Sequence, residues 1–166
     1  MAKFTWNDKQ FTANIKLGSE LALEAMSGHL VKDIKDSMGP GSYYEWPSNK
    51  KDGSTHWSSQ PGDAPSPDTN VLKDSISYST SFGVQSGVGS SAASGVGSIK
   101  AVSNVGVPSA THNEVVSVVG TMDERALELE FGSNFAPRPF IRPAIPRNKE
   151  ILATIFNNVM KREINE

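Results

Sequence analysis

The chain reads as an α+β domain: a long N-terminal helix, an antiparallel β-meander of three to four strands, and a C-terminal helix packed on the sheet. Three observations predict it. Apolar residues recur at helical spacing from about residue 8 to 37. Period-2 alternation follows between Ile76 and Val119, and helical spacing returns after Pro146. These periodicities place helices at the two ends of the chain and strands between them. At 166 residues the chain suits one domain with one core, covering 1–166.

The first helix is read from Phe11, Ile15, Ala22, Met26 and Leu30 on one stripe, flanked by Leu23 and Ile34. Lys16, Glu20, Glu24, Lys32 and Lys35 fall outside that stripe. Gly18 and Gly28 each weaken a helix by about 1 kcal/mol relative to alanine, so a bend or a close packing is expected there. Gly39-Pro40-Gly41 ends it.

From 38 to 70 the prolines at 47, 61, 65 and 67 lie among Gly, Ser, Asp and Asn, and the segment reads as a loop. It also carries Tyr43, Tyr44, Trp46 and Trp57, more aromatics than a solvated linker holds. They either cover the domain's own core or dock on another subunit.

Ile76, Tyr78, Thr80, Phe82 and Val84 alternate with Ser and Gly, the first strand pattern. Residues 86–97 form a Gly/Ser tract, read as a hairpin tip: a solvent loop, or a finger that orders on a partner. Ile99 to Val107 is a second strand pattern, residues 108–113 a turn, and Val115 to Val119 a third strand. Asp123 to Phe131 fits a short helix or turn with an extended end at Glu130-Phe131. A last helix is read from Pro146 to about Glu163, with Ile151, Leu152, Ile155, Phe156 and Val159 as its buried stripe.

Composition narrows the function. The formal charge is −2, without the basic excess of a general nucleic-acid binder. Cysteine is absent, so neither disulfides nor thiolate metal sites arise, as suits folding in a reducing cytoplasm. The first residues lack the apolar core of a cleaved signal, and no run approaches the roughly 20 apolar residues that cross a bilayer. No membrane association is expected. Hydrophobic content is 37%, with fourteen glycines and ten prolines, so neighbouring subunits are expected to supply part of the stability.

Signs of catalysis are few. His29, His56 and His112 lie far apart, without metal-ligand spacing, and no cofactor is expected. Gly87-Val88-Gly89-Ser90-Ser91-Ala92 has no following helix and no Walker lysine, so it is not a phosphate cradle. The pairs Asp123/Glu124 and Glu128/Glu130 suit a solvated face or salt bridges to Arg138 and Arg142 better than acid–base work. No Gly-x-Ser-x-Gly elbow is present.

The most informative stretch is Ala136-Pro137-Arg138-Pro139-Phe140-Ile141-Arg142-Pro143-Ala144-Ile145. Prolines 137, 139 and 143 fix their own φ and push the preceding residues towards extended geometry. Arg138 and Arg142 therefore project from a stiff backbone. A guanidinium fork on such a backbone is aimed at a carboxylate or a carbonyl row at low entropic cost.

Glu130-Phe131-Gly132-Ser133, this Arg-Pro box and the terminal helix together resemble a family of small tailed-bacteriophage proteins, the neck or tail-completion components. The proline loop Pro61 to Thr69, leading into Asn70-Val71-Leu72-Lys73-Asp74-Ser75-Ile76, is similar to that family's loop and Leu-x-x-Ser-Ile strand start. The order of elements agrees along nearly the whole chain, while Ser81–Ser98 is longer and richer in Gly and Ser than the family pattern. The resemblance implies a structural virion protein, not an enzyme, made in the host cytoplasm and placed at the head–tail junction. It implies a homo-oligomeric ring, six-fold favoured over twelve-fold. The expected partners are further copies, a tail terminator or tail tube protein, and head-completion or connector proteins, with no sequence-specific nucleic acid. Interface contacts are then expected at Tyr43, Tyr44, Trp46, Trp57, Glu130, Phe131, Arg138, Pro139, Phe140 and Arg142. The alternatives are a minor tail or baseplate-side protein and, from another class, a small assembly-associated hydrolase.

Overall fold

The computed structural model describes residues 8–47, 51–82, 85–86 and 114–165. Helix α1 spans Asp8–Ser37, as its apolar spacing and the Gly39-Pro40-Gly41 stop predict. Strands β1 (Tyr44–Pro47) and β2 (Thr55–Ser58) form an antiparallel hairpin within the stretch read as irregular. A short helix, α2, occupies Val71–Ser75. Strands β3 (Ser77–Thr80), β4 (Gln85–Ser86) and β5 (Ser117–Gly120) form the second sheet. Helices α3 (Arg125–Phe131) and α4 (Ala144–Asn165) complete the fold. The α+β class is as the sequence predicts.

The second sheet is antiparallel with the order β4-β3-β5. Strand β3 is therefore central, and the sheet is not the meander expected, in which the middle strand in sequence would also be the middle strand in space. The second strand pattern at 99–107, the turn at 108–113 and the Gly/Ser tract beyond Ser86 lie outside the described residues.

Helix α4 does not pack mainly on the sheet. Its main partner is α1, and the two run antiparallel: Gly18 meets Met160 and Glu163, while His29 and Asp33 meet Arg147 and Asn148. A Cβ on Gly18 would stand 3.0 Å from Met160 Sδ and 3.3 Å from Glu163 Cβ, so glycine there lets the helices close up. Nearer the core the seam is polar. Asn148 is buried; it donates to Asp33 Oδ2 and the Ala144 carbonyl, both at 2.8 Å, and accepts from His29 Nε2 at 2.9 Å. Arg147 adds an ion pair to Asp33. Burial alone would push the Asp33 carboxyl up, but these bonds hold it below its ordinary value.

The opposite side of α1 rests on β3 and β5, and the Ser27 and Ser117 hydroxyls share a 2.6 Å hydrogen bond there. The core gathers at the C-terminal half of α1: Val31, Ile34 and Met38 pack with Ile76, Tyr78, Ala126, Phe140 and Ala144. Leu30, Leu72, Val119, Leu129 and Ile141 flank it. Of the stripe expected on α1, Ala22 and Ile34 are buried, Ile15, Leu23, Met26 and Leu30 half-buried, and Phe11 exposed.

The stripe expected on α4 is likewise wider than what is covered. Leu152 is buried and Ile155 and Val159 are half-buried, while Ile151 and Phe156 stay exposed on either side of the seam. A helix partner covers a narrower stripe than a sheet would.

Candidate functional site

The Arg-Pro box closes onto the end of α3. That helix runs through Phe131, so Glu130 and Phe131 are helical rather than extended as expected. An α-helix leaves its last carbonyls without intrahelical partners. Here the residues that follow supply the donors. Gly132 N donates to the Glu128 carbonyl at 2.8 Å, Arg138 N to the Leu129 carbonyl at 2.6 Å, and Arg142 Nη2 to the Glu130 carbonyl at 3.0 Å. The turn needed for this begins at Gly132, whose φ of 76° is costly for any residue with a Cβ. A Cβ there would also lie 2.9 Å from the Phe135 carbonyl oxygen.

The Glu130 carboxylate, 4% exposed, sits in a cradle made by the box. Its Oε2 accepts from Phe140 N at 2.8 Å and Ile141 N at 3.0 Å; its Oε1 accepts from Arg142 N at 2.8 Å and Arg142 Nε at 3.1 Å. Pro139 and Pro143 have no N–H, so residues 140–142 are the run of amides that lies between them. All three are given to one carboxylate. Burial would raise the Glu130 pKa, but the three amides and the guanidinium outweigh it and hold the carboxyl below its ordinary value. The Arg142 guanidinium, its side chain 58% exposed, also lies 4.6 Å from the centre of the Phe131 ring. Phe140 drives into the core at 1% exposure and anchors the cradle, a burial contributing about 1.5–3 kcal/mol.

The box is tied to the proline loop as well. Gly62 N donates to the Pro137 carbonyl at 2.9 Å, and Arg138 Nε donates to the Ser59 carbonyl at 3.3 Å. Both arginines thus meet the carboxylate or carbonyls that their stiff backbone predicts, and they do so within the chain.

This redistributes the residues read as contacts. Glu130 and Phe140 are buried in the chain's own structure and present no surface to a partner. Pro139 and Arg138 are half-buried. Arg142 and Phe131 remain at the surface as a stacked pair, with Phe135 nearby at 67% exposure. The hairpin carries Tyr43, Tyr44 and Trp57, all exposed. Tyr44 pairs with Ser58 and Trp57 with Glu45, so the pleat puts Tyr44 and Trp57 on opposite faces of the hairpin. Trp46 lies in β1, paired with His56. The hairpin and the closure of the Arg-Pro box onto Glu130, the clasp, are separate surfaces rather than one patch. Asp123 pairs with Arg125, not with the box arginines.

Sequence spacing did not signal two features. Exposed apolar residues flank the α4 seam: Ile151 on one side and Phe156 on the other, both on the stripe that spacing assigns to the core, and Ile145 beside Phe156 but off that stripe. A cleft between β2, residues 65–72 and the box brings together His56, Ser58, Ser59, Asp68, Arg125 and Arg138 from well-separated stretches. No group of three or more His, Asp or Glu side chains placed to hold a metal ion occurs among the described residues. No described helix is long and apolar enough to cross a membrane. Comparison with protein families, with curated proteins and with solved structures returns no match.

Proposed function

We propose that this chain is a structural protein of a tailed-phage head–tail junction, a neck or tail-completion component that works as a homo-oligomeric ring between the tail end and the connector. The observation that carries the reading is the uncovered apolar width of α4. Ile145, Ile151 and Phe156 line both sides of its seam with α1, and Phe131 and Phe135 stand exposed at the clasp. A monomer gains nothing from apolar side chains lining both flanks of a helix seam, whereas a ring buries them against the next copy. The resemblance at Glu130-Phe131-Gly132 and the Arg-Pro box supplies the kind of assembly. Its geometry fits a scaffold role for the motif: the box sets the direction of α4 from α3, and α4 presents the apolar flanks.

The test has two arms. Purified protein is examined by sedimentation and negative-stain imaging, where rings or ring-forming oligomers are expected. Deleting the gene from a phage that carries it is expected to leave DNA-filled heads and tails of normal length that do not join. A strict monomer at high concentration, or empty heads, refutes the reading.

A further inference from the structure

We propose that the cleft between β2, residues 65–72 and the Arg-Pro box is a docking pocket for an acidic segment of a partner protein, with one carboxylate received at Arg138. The inference rests on the assembly reading above and names the chemistry of one of its contacts.

The cleft has a volume of about 500 Å³, room for one or two side chains of an entering segment. Its floor is apolar, with Met38, Leu72 and Leu129, and exposed Val71 and Phe135 stand at its lining. Its polar groups are incompletely used. Among the described residues, His56 Nδ1, Ser58 Oγ and Ser59 Oγ are buried without a hydrogen-bond partner. Buried polar atoms are nearly always paired, and an orphan costs about 1–3 kcal/mol, so the two hydroxyls point to an entering acceptor that completes them, while His56 faces Asp68. Hydroxyls can donate to a carboxylate. Arg138 is held at Nε by the Ser59 carbonyl, and its two Nη groups have no hydrogen-bond partner among the described residues. Arg125, also lining the cleft, is already committed to Asp123.

The sign of the ligand follows from this arrangement. The donors left over are a guanidinium and hydroxyls, which together suit an anion with two acceptor oxygens. Asp68 stands 3.9 Å from His56 Nδ1, so a carboxylate is received on the Arg138 side and is repelled on the His56 side. The apolar floor selects against a small hydrated anion, because only a segment with an aliphatic or aromatic neighbour covers it.

The test uses two fluorescein-labelled peptides, Glu-Glu-Leu-Phe-Glu-Asp and its counterpart with Gln and Asn in place of the acids, titrated against the full chain by fluorescence anisotropy. The acidic peptide is expected to bind at least about ten-fold more tightly, the difference one charge-assisted pair contributes. Arg138→Gln is expected to remove that preference. Ser59→Ala, which deletes an orphaned hydroxyl and leaves the fold intact, is expected to weaken the acidic peptide alone. Equal binding of both peptides, binding of neither, displacement by inorganic phosphate at equal concentration, or no effect of both substitutions overturns the proposal. Sedimentation of the same samples separates the two claims. Rings without peptide binding sink the pocket and keep the assembly reading, whereas peptide binding by a strict monomer does the reverse.

Discussion

Arg142 holds Glu130 twice: its Nε donates to the carboxylate at 3.1 Å and its Nη2 to the main-chain carbonyl of the same residue at 3.0 Å. One side chain thereby neutralises a buried acid and caps the helix that carries it.

Arg142→Lys keeps the charge and loses the fork. The substitution is expected to destabilise the chain by about 1 kcal/mol, because a point charge cannot serve both acceptors at once and the pair is half in solvent. Urea unfolding should show a lower midpoint at unchanged slope, and Lys161→Arg should show none.

Removing the acceptor costs more. Glu130→Gln turns an amide NH2 towards donors and leaves at least one of the cradle's N–H groups unpaired in a buried place. A loss of about 2–3 kcal/mol is expected. Glu128→Gln, on the exposed side of α3, is the control and should be near neutral in the same unfolding assay.

The depressed Glu130 pKa also fixes a pH dependence. Its folded value lies below the unfolded value of about 4.3, so its contribution is complete above that value and is lost as pH falls through the folded one. Asp33 and Asp123 act in the same direction. Denaturation midpoints should stay level from neutral pH down to about 5 and then fall. Glu130→Gln should fall less steeply; equal slopes would show that the cradle is not the source.

The helix seam gives a pair of opposite signs. Gly18→Leu drives a branched side chain into Met160 and Glu163 and should cost about 1–3 kcal/mol by overpacking. Gly28 has nothing within 4 Å of an added Cβ, so Gly28→Ala should stabilise by about 0.5–1 kcal/mol. Thermal melts of the two variants check both.

Ile151→Glu with Phe156→Glu tests the uncovered flanks of α4. Under the proposed ring reading, the double variant should lose self-association in sedimentation while the stability of the monomer changes by no more than about 0.5 kcal/mol per site.

How far the sequence spoke for this fold depends on the reach of each interaction. Helix α1 was legible because its signals are local, apolar spacing and a Gly-Pro-Gly stop. Helix α3 was ambiguous because Leu127, Leu129 and Phe131 alternate like a strand, and the donors that decide for helix lie at Gly132, Arg138 and Arg142. The β1–β2 hairpin carried a signal in Asp52-Gly53, with Gly53 at φ 72°, but Pro47 and its polar neighbours outweighed it. The α4 stripe is wider than its covered seam because its main partner is another helix, α1, rather than a sheet. The two arginines were aimed as their stiff backbone predicts. The cleft left no local pattern, since its lining comes from β2, a proline loop, α3 and the box.

The clasp also joins residues 130 and 142 in a chain that has no cysteine. It closes a short loop much as a disulfide would, and a loop of that length is entropically cheap to close. The bond is ionic and main-chain in character, so thiol reductants and oxidants leave it alone. The staple needs no oxidising compartment to form. It holds the same way whether its surroundings are reducing or oxidising.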